Sequence, residues 1–370
     1  MKQAAIIKRA SQQARNAMQQ LDAGGVADLL EIYSRAADEV RAAIRARVGA
    51  DEAVPREQLQ GLLRQIEDII TRLGTERDAA LTQAITEAAA LGVRPYTVQG
   101  AMAVGGVVGT SAPAVLESGA AMKISQAAVE FVMNFRAADG LTLSDRLWRM
   151  DQGAKEAMTR AVANAVVQGW SGAKAAQDLA LRGVAIPADV AAQVRAAKAE
   201  RLVGLADLLT SSKSGAEPEL WKAERVLRTE INRAHGEAYM AGAESTPGFA
   251  GFQFLLSPRH PEPDICDLLA AQNLHGLGPG VYPTREQTPW PAHPNTLSFV
   301  VMVFEEDITE ADRAGKETEL QALQRLAPEV RAGVLGVTKA GYFDQGLLRR
   351  GMIRSPLRAV NARLARQGVV

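Results

Sequence analysis

Gly251-Phe252-Gln253-Phe254-Leu255-Leu256 and Leu297-Ser298-Phe299-Val300-Val301-Met302-Val303-Phe304 are two β-like runs, and they bracket the stretch that decides the fold. Nine of the 16 prolines lie in or beside it, at 247, 258, 261, 263, 279, 283, 289, 291 and 294. Proline fixes φ and donates no main-chain hydrogen, so the interval holds neither a long helix nor a central strand. It reads as loop. Pairing the two runs would close that loop into a compact α+β unit.

Working outward, the texture on both sides is helical. Glu219 to Ala243 carries a helical pattern before the first run, and Thr309 to Leu326 carries another after the second. Upstream, Leu29, Ile32, Ala36, Val40 and Ile44 recur at three-to-four spacing after Gly24-Gly25, which reads as a break. A second helix follows Gly49–Pro55, with Leu59, Leu62, Leu63, Ile66, Ile69, Ile70 and Leu73 on one face. Glu76–Leu91 reads as a third. Antiparallel hairpin packing is the plainer explanation of these stripes, and partner-seeking coiled-coil arms the other. Ser144 is placed to cap a helix, Gly169-Trp170-Ser171-Gly172 to end one, and Pro187 to open one reaching about Leu209, before a polar linker at 211–218. The expected fold is mainly α with a small α+β C-terminal domain, its two-stranded or small antiparallel sheet bracketing the Pro-rich loop. The expected regions are an N-terminal helical assembly region at 1–93, a Gly/Ala-rich junction at 94–118, a helical domain at 119–210, the α+β domain at 219–345 and an Arg-rich tail at 346–370.

Composition narrows the class. Among 370 residues, Lys plus Arg and Asp plus Glu both number 42, so no global field draws the chain to nucleic acid or a membrane. Aromatics at 5% suit helix-on-helix packing better than a large sheet. One cysteine excludes an intramolecular disulfide and any multi-cysteine zinc cage. Met1–Arg15 lacks the apolar core of a secretory signal, and the apolar stretch Ala101–Leu116 is too short to span a bilayer.

The residues able to carry chemistry are concentrated. His235, His260, Cys266, His275 and His293 account for every histidine and the one cysteine. Imidazole, thiolate and carboxylate are the groups that bind zinc or exchange protons near neutral pH. A metal set would draw on Asp264, Cys266, His275 and His293, yet no CxxC or HxxxH spacing fixes two ligands in one turn. Cys266 reads equally as a small buried apolar thiol, and His260 as a surface loop residue. On the helix, Arg228, Asn232 and His235 share one face and Glu230 and Arg233 another, leaving Leu227, Ile231 and Ala234 for the core. Either this is a solvated face, or Arg228, Glu230, Asn232 and His235 join His293 and Asn295 in a hydrogen-bond network that pins the Pro-rich loop. The tail holds Arg349, Arg350, Arg354, Arg358, Arg363 and Arg366 with no acid after Asp344, a set suited to DNA phosphates or an acidic partner. The alternative is a disordered, solvated tail, although Leu348, Leu357, Val360 and Leu364 are spaced for a docking helix.

These motifs resemble the Mu F-like phage head morphogenesis, or minor head, proteins. The matching parts are Arg228-Thr229-Glu230 with Asn232 and Tyr239, the strand at Phe252–Leu256, Asp264 with Cys266, and Pro291-Ala292-His293-Pro294-Asn295. Leu143–Trp148 and Gln168–Gly172 look like segments common upstream in that family. The resemblance spans roughly 120 to 345. Two departures stand out: Leu269 occupies the place of a second cysteine, and Thr296-Leu297-Ser298 replaces a Cys-Arg-Cys end. A tetrahedral cysteine site is therefore lost, and zinc would need Cys266 with His or Asp ligands. The resemblance implies a non-enzymatic virion component, made in the host cytoplasm with the procapsid. It would be present in several copies near the portal vertex, in contact with portal or capsid proteins and packaged DNA, and with no membrane in the mature particle. The rival readings are a DNA-binding ejection factor and a Cys/His-dependent metal-binding hydrolase or toxin-like effector.

Overall fold

The structure, a computed structural model, describes residues 3–47, 56–104, 116–137, 139–160, 206–210, 218–294, 296 and 298–368. It is mainly α, with a three-stranded antiparallel sheet in the C-terminal region. Chain contacts divide it into two compact units. A helical unit comprises Gln20–Ile85 and Glu130–Arg228, and a sheet unit comprises Met1–Gln19, Thr86–Val129 and Thr229–Val370. This division cuts across the regions expected from the sequence.

Two long helices run further than their patterns suggested. Gly24-Gly25 does not break the first, which spans Gln3–Arg47. A helical glycine costs about 1 kcal/mol against alanine, but a Cβ on Gly25 would meet the Leu227 side chain at 2.9 Å. The glycine makes room. The second and third expected helices are one, Arg56–Val93, and Gly74 sits mid-helix where a Cβ would meet the Asp151 carboxylate.

In the helical unit these two helices form the expected hairpin. Arg35 pairs with Glu76 and Arg72 with Glu39, a descending order that makes the helices antiparallel. Leu29, Tyr33, Ala36, Val40 and Ile44 are buried on one helix, and Leu62, Ile66, Ile69, Ile70 and Leu73 on the other. A further helix covers 143–160, and its cap is Thr142 rather than Ser144. Asp145 Oδ2 accepts from Thr142 N at 3.0 Å while Thr142 Oγ1 accepts from Asp145 N at 3.3 Å, the reciprocal pair of a capping box. Gly169-Trp170-Ser171-Gly172, the Pro187 helix up to 205, the 211–217 linker, Gly49–Pro55 and the 105–115 part of the junction lie outside the described residues.

The sheet unit is built on the two β-like runs. Strand β1 (Phe249–Leu255) pairs antiparallel with β3 (Phe299–Phe304), with Phe252 opposite Met302 and Phe254 opposite Val300. A short β2 (Val281–Tyr282) pairs with the other side of β1, giving the order β2-β1-β3. Phe252, Phe254, Val300, Met302 and Phe304 turn toward the core, where they meet Tyr239, Met240 and Ala243 of the Glu219–Glu244 helix. The expected helix at Thr309–Leu326 is two, Glu310–Ala314 and Glu319–Arg325, each with its own threonine capping box. The Arg-rich end is no separate tail. Its helix, Leu357–Arg366, buries Val360 and Leu364 in one cluster with Leu268, Ala322, Leu323 and Met352. Among the described residues no helix is long and apolar enough to cross a membrane.

Candidate functional site

The Pro-rich loop is held against the Glu219–Glu244 helix at two points. Trp290 Nε1 donates to the Asn232 carbonyl at 3.2 Å, and Asn232 Nδ2 donates to the Thr296 carbonyl at 3.3 Å. The indole lies so close to Gly236 that any Cβ there would overlap it. Phe254 supports the same ring edge-on, with centroids 6.0 Å apart. The Trp290–Pro291 peptide is cis.

Beyond Pro291 the loop carries His293 to the start of a short helix, Ile265–Ala271. That helix begins with a capping box: Asp264 Oδ1 accepts from Cys266 N at 2.6 Å, and Asp267 Oδ2 accepts from Asp264 N at 2.8 Å. The cap thus aims the Asp264 carboxylate and the Cys266 thiol in one direction. His293 Nε2 lies 3.2 Å from Cys266 Sγ and 3.1 Å from Asp264 Oδ2. His260 stands on the other side of Asp264, its Nε2 2.9 Å from Asp267 Oδ2 and 3.8 Å from Asp264 Oδ1.

Proton placement at His293 decides what this cluster does. Nδ1 lies 2.9 Å from the Pro294 carbonyl, which only accepts, so Nδ1 carries the hydrogen. In the neutral ring Nε2 then presents a lone pair to the Asp264 carboxylate. Two acceptors facing each other at 3.1 Å need a hydrogen or a cation between them, and a metal ion is one way to supply it. Zinc bond lengths give ligand-to-ligand separations of about 3.3–3.6 Å in a tetrahedral site. One nitrogen, one sulfur and one carboxylate oxygen lie here within 4.8 Å of one another. The donor set fits zinc, with Asp264, Cys266 and His293 to hold it and His260 behind Asp264. A bound ion would supply charge to this corner of the loop and join its two ends.

Cys266 itself is fully buried. Burial pushes its thiol up to about 11, with the Ser298 and Thr296 hydroxyls pulling the other way. His275, expected among the ligands, is elsewhere. The glycine turn that follows, with Gly276, Gly278 and Gly280 at positive φ, sets its ring edge-on to Tyr282. Burial and then Lys316 hold its pKa below the usual range. His260 is not a surface residue; its side chain is 13% exposed and clasped by Asp267.

The expected network around the helix also divides. Glu230 is buried and pairs with Arg233, one turn on, at 3.0 Å. Arg228 lies about 200° around the helix from Glu230 and instead meets Asp22 at 3.3 Å within the helical unit. His235 is fully buried, stacked on Tyr239 with centroids 6.1 Å apart, and its Nε2 has no hydrogen-bond partner. Burial, then the Arg15 charge, lower its pKa to about 4. Leu227, Ile231 and Ala234 are buried as expected. Asn295 lies outside the described residues. In the C-terminal helix region, Arg350 and Arg354 are drawn to Glu319 at 3.0 and 3.7 Å, an acid that lies upstream of the acid-free stretch. Arg349, Arg358, Arg363 and Arg366 are exposed.

Sequence reasoning missed Trp290, Gly236 and the clasp of His260 by Asp267. Only the last left a signal: Asp264 and Asp267 have the spacing of an N-cap and its third residue. Compared with known proteins, the chain matches no family model, no curated protein and no solved structure.

Proposed function

We propose that this chain is a minor head component of a phage virion, acting by binding during head assembly and seated beside the portal. The observation that carries the reading is the clamp. The resembling segments from Thr229 onward, namely the helix with Asn232 and Tyr239, the strand at Phe252–Leu256, Asp264 with Cys266, and the loop at His293, lie in one unit, where Trp290–Asn232 and Cys266–His293 join them. Such a clamp gives a rigid binding surface, in which the proline-stiffened loop pays little further ordering entropy on docking. A non-catalytic role is supported by the complete burial of Cys266, the sole thiol of the chain. Packaged DNA is a fitting contact for Arg349, Arg358, Arg363 and Arg366, which stand exposed where Arg350 and Arg354 are occupied by Glu319. Zinc, held by Asp264, Cys266 and His293, would staple the clamp.

The test is fractionation of phage particles carrying a tagged copy of the chain. It is expected to sediment with procapsids and mature heads in several copies, and to give density at the portal vertex. Recovery only in the free protein fraction would overturn the assignment. The ejection-factor reading gains if duplex DNA binding falls with salt at a log–log slope of about −4 and is lost on replacing those four arginines with glutamine.

A further inference from the structure

Among the described residues, several buried or half-buried guanidinium groups pair with carboxylates: Arg77 with Asp78 and Asp151, Arg233 with Glu230, Arg331 with Asp344. Arg15 differs. Among the described residues it meets no carboxylate at ion-pair distance. It lies over the Phe299 ring, 4.6 Å from its centroid, and donates to the Gln12 side chain. Its Nη1 is buried and makes no hydrogen bond. A partly buried cation with a donor to spare is costly to hold unless something binds it.

Arg15 stands in the wall of a groove of about 400 Å³ in the sheet unit. The floor includes Gln253 and Leu255 of β1 and Val301 and Val303 of β3, alternating positions on the sheet face that turns from the core. The other charges at the groove are already engaged. Lys8 binds both carboxylate oxygens of Asp307 at 2.8 Å, and Asp312 closes a capping box with Thr309. Arg15 is the charge left over.

We propose that this groove binds a carboxylate carried on an apolar stem, with Arg15 as its counter-ion. One planar guanidinium matches one carboxylate, whereas a phosphate would call for further cations or a nest of main-chain donors. The Leu255 and Val301 floor suits an aliphatic stem, and the volume lies in the range of small-ligand pockets. A free aliphatic acid and an acidic side chain of an apolar peptide present the same chemistry. This inference goes beyond the head-assembly reading and stands on different residues.

Titration of the full chain by calorimetry separates the possibilities, with four probes: octanoate, 1-octanol, acetate and the peptide acetyl-Leu-Glu-Leu amide. Octanoate or the peptide is expected to bind with a Kd of about 1 mM or tighter. Arg15→Gln should weaken that binding at least about tenfold, as loss of a charged hydrogen bond does. Acetate and 1-octanol, each lacking one half of the ligand, should bind more weakly than octanoate. Binding by octanoate alone assigns a free acid as the source, and binding by the peptide alone assigns a protein segment. Failure of both to bind up to about 10 mM, or equal binding by Arg15→Gln, overturns the proposal. If Arg15→Gln loses its helical circular dichroism, Val301→Glu replaces it. A carboxylate on the floor should then occupy Arg15 and abolish binding in a folded chain, and undiminished binding would count against the site.

Discussion

Arg77 in the helical unit and Cys266 in the sheet unit are both buried polar anchors, and their surroundings serve them in opposite ways. Arg77 is 1% exposed and fully answered: Nη1 donates to Asp151 Oδ1 at 2.7 Å, and Nη2 to Asp78 Oδ1 at 2.7 Å. Burial pulls its pKa down, but Asp151 and its neighbours outweigh that and raise it. The adjacent Tyr33 is pushed up to about 12, chiefly by burial. Around Cys266 the partners are less closed, because an imidazole nitrogen and a carboxylate oxygen face each other 3.1 Å apart beside the thiol. The first arrangement is closed and structural. The second has room for a cation. A buried charged group therefore says little by its presence; the sum of its partners' charges says what it is for.

Breaking the closed cluster should have the largest effect. Arg77→Ala strands Asp151 and should lower stability by about 3–5 kcal/mol in urea denaturation. The double variant Arg77→Met with Asp151→Leu should recover most of that loss. A loss under 1 kcal/mol would show that the cluster is not the anchor described.

His235 gives the sheet unit's counterpart in pH. Its folded pKa, about 4, lies below the ordinary 6.5, so the unfolded chain takes up the proton first as pH falls. Stability is full above pH 6.5 and declines toward pH 4, by about 3 kcal/mol in total. His235→Phe should flatten the stability profile in that window. An unchanged profile would mean that other groups set it.

Zinc sharpens the contrast next. At a concentration about 100 times its Kd it should stabilise the chain by about 2.7 kcal/mol, read as a rise in Tm. Cys266→Ala and His293→Ala should each remove the rise, whereas Arg77→Ala should leave it in place. A rise that survives Cys266→Ala would place the ion elsewhere. Smallest is Gly236→Ala. The added methyl must displace Trp290, an overpacking cost of about 1–3 kcal/mol, and the displaced loop should weaken zinc binding as well. Normal zinc affinity in that variant would separate the clamp from the cluster.

How much of this was legible depended on the range of the interaction. The stripes of the two long helices and both β runs were readable because period alone specifies them. Gly24-Gly25 misled because a neighbour, Leu227, occupies the space a side chain would need, and local propensity holds no record of that. Strand β2 is two residues between Pro279 and Pro283, too short for any alternation. At the site, Cys266, Asp264 and His293 were readable as chemical types. His275 was wrongly grouped with them because proximity in sequence does not survive three positive-φ glycines. Arg15 gave no sign at all, since an exposed and a stranded arginine look alike in a helical pattern.

Strand β3 ends the sheet, and on the side away from β1 its main-chain hydrogens are already claimed in two places. Met302 N donates to the Tyr239 hydroxyl at 2.9 Å, and Phe304 N to Asp307 Oδ2 at 3.2 Å. An open strand border is where another chain can pair edge to edge. With side chains seated at those positions, a newcomer would have to evict a buried phenol before it could form its first rung. The hydroxyl of one tyrosine thereby guards part of that border against a further strand.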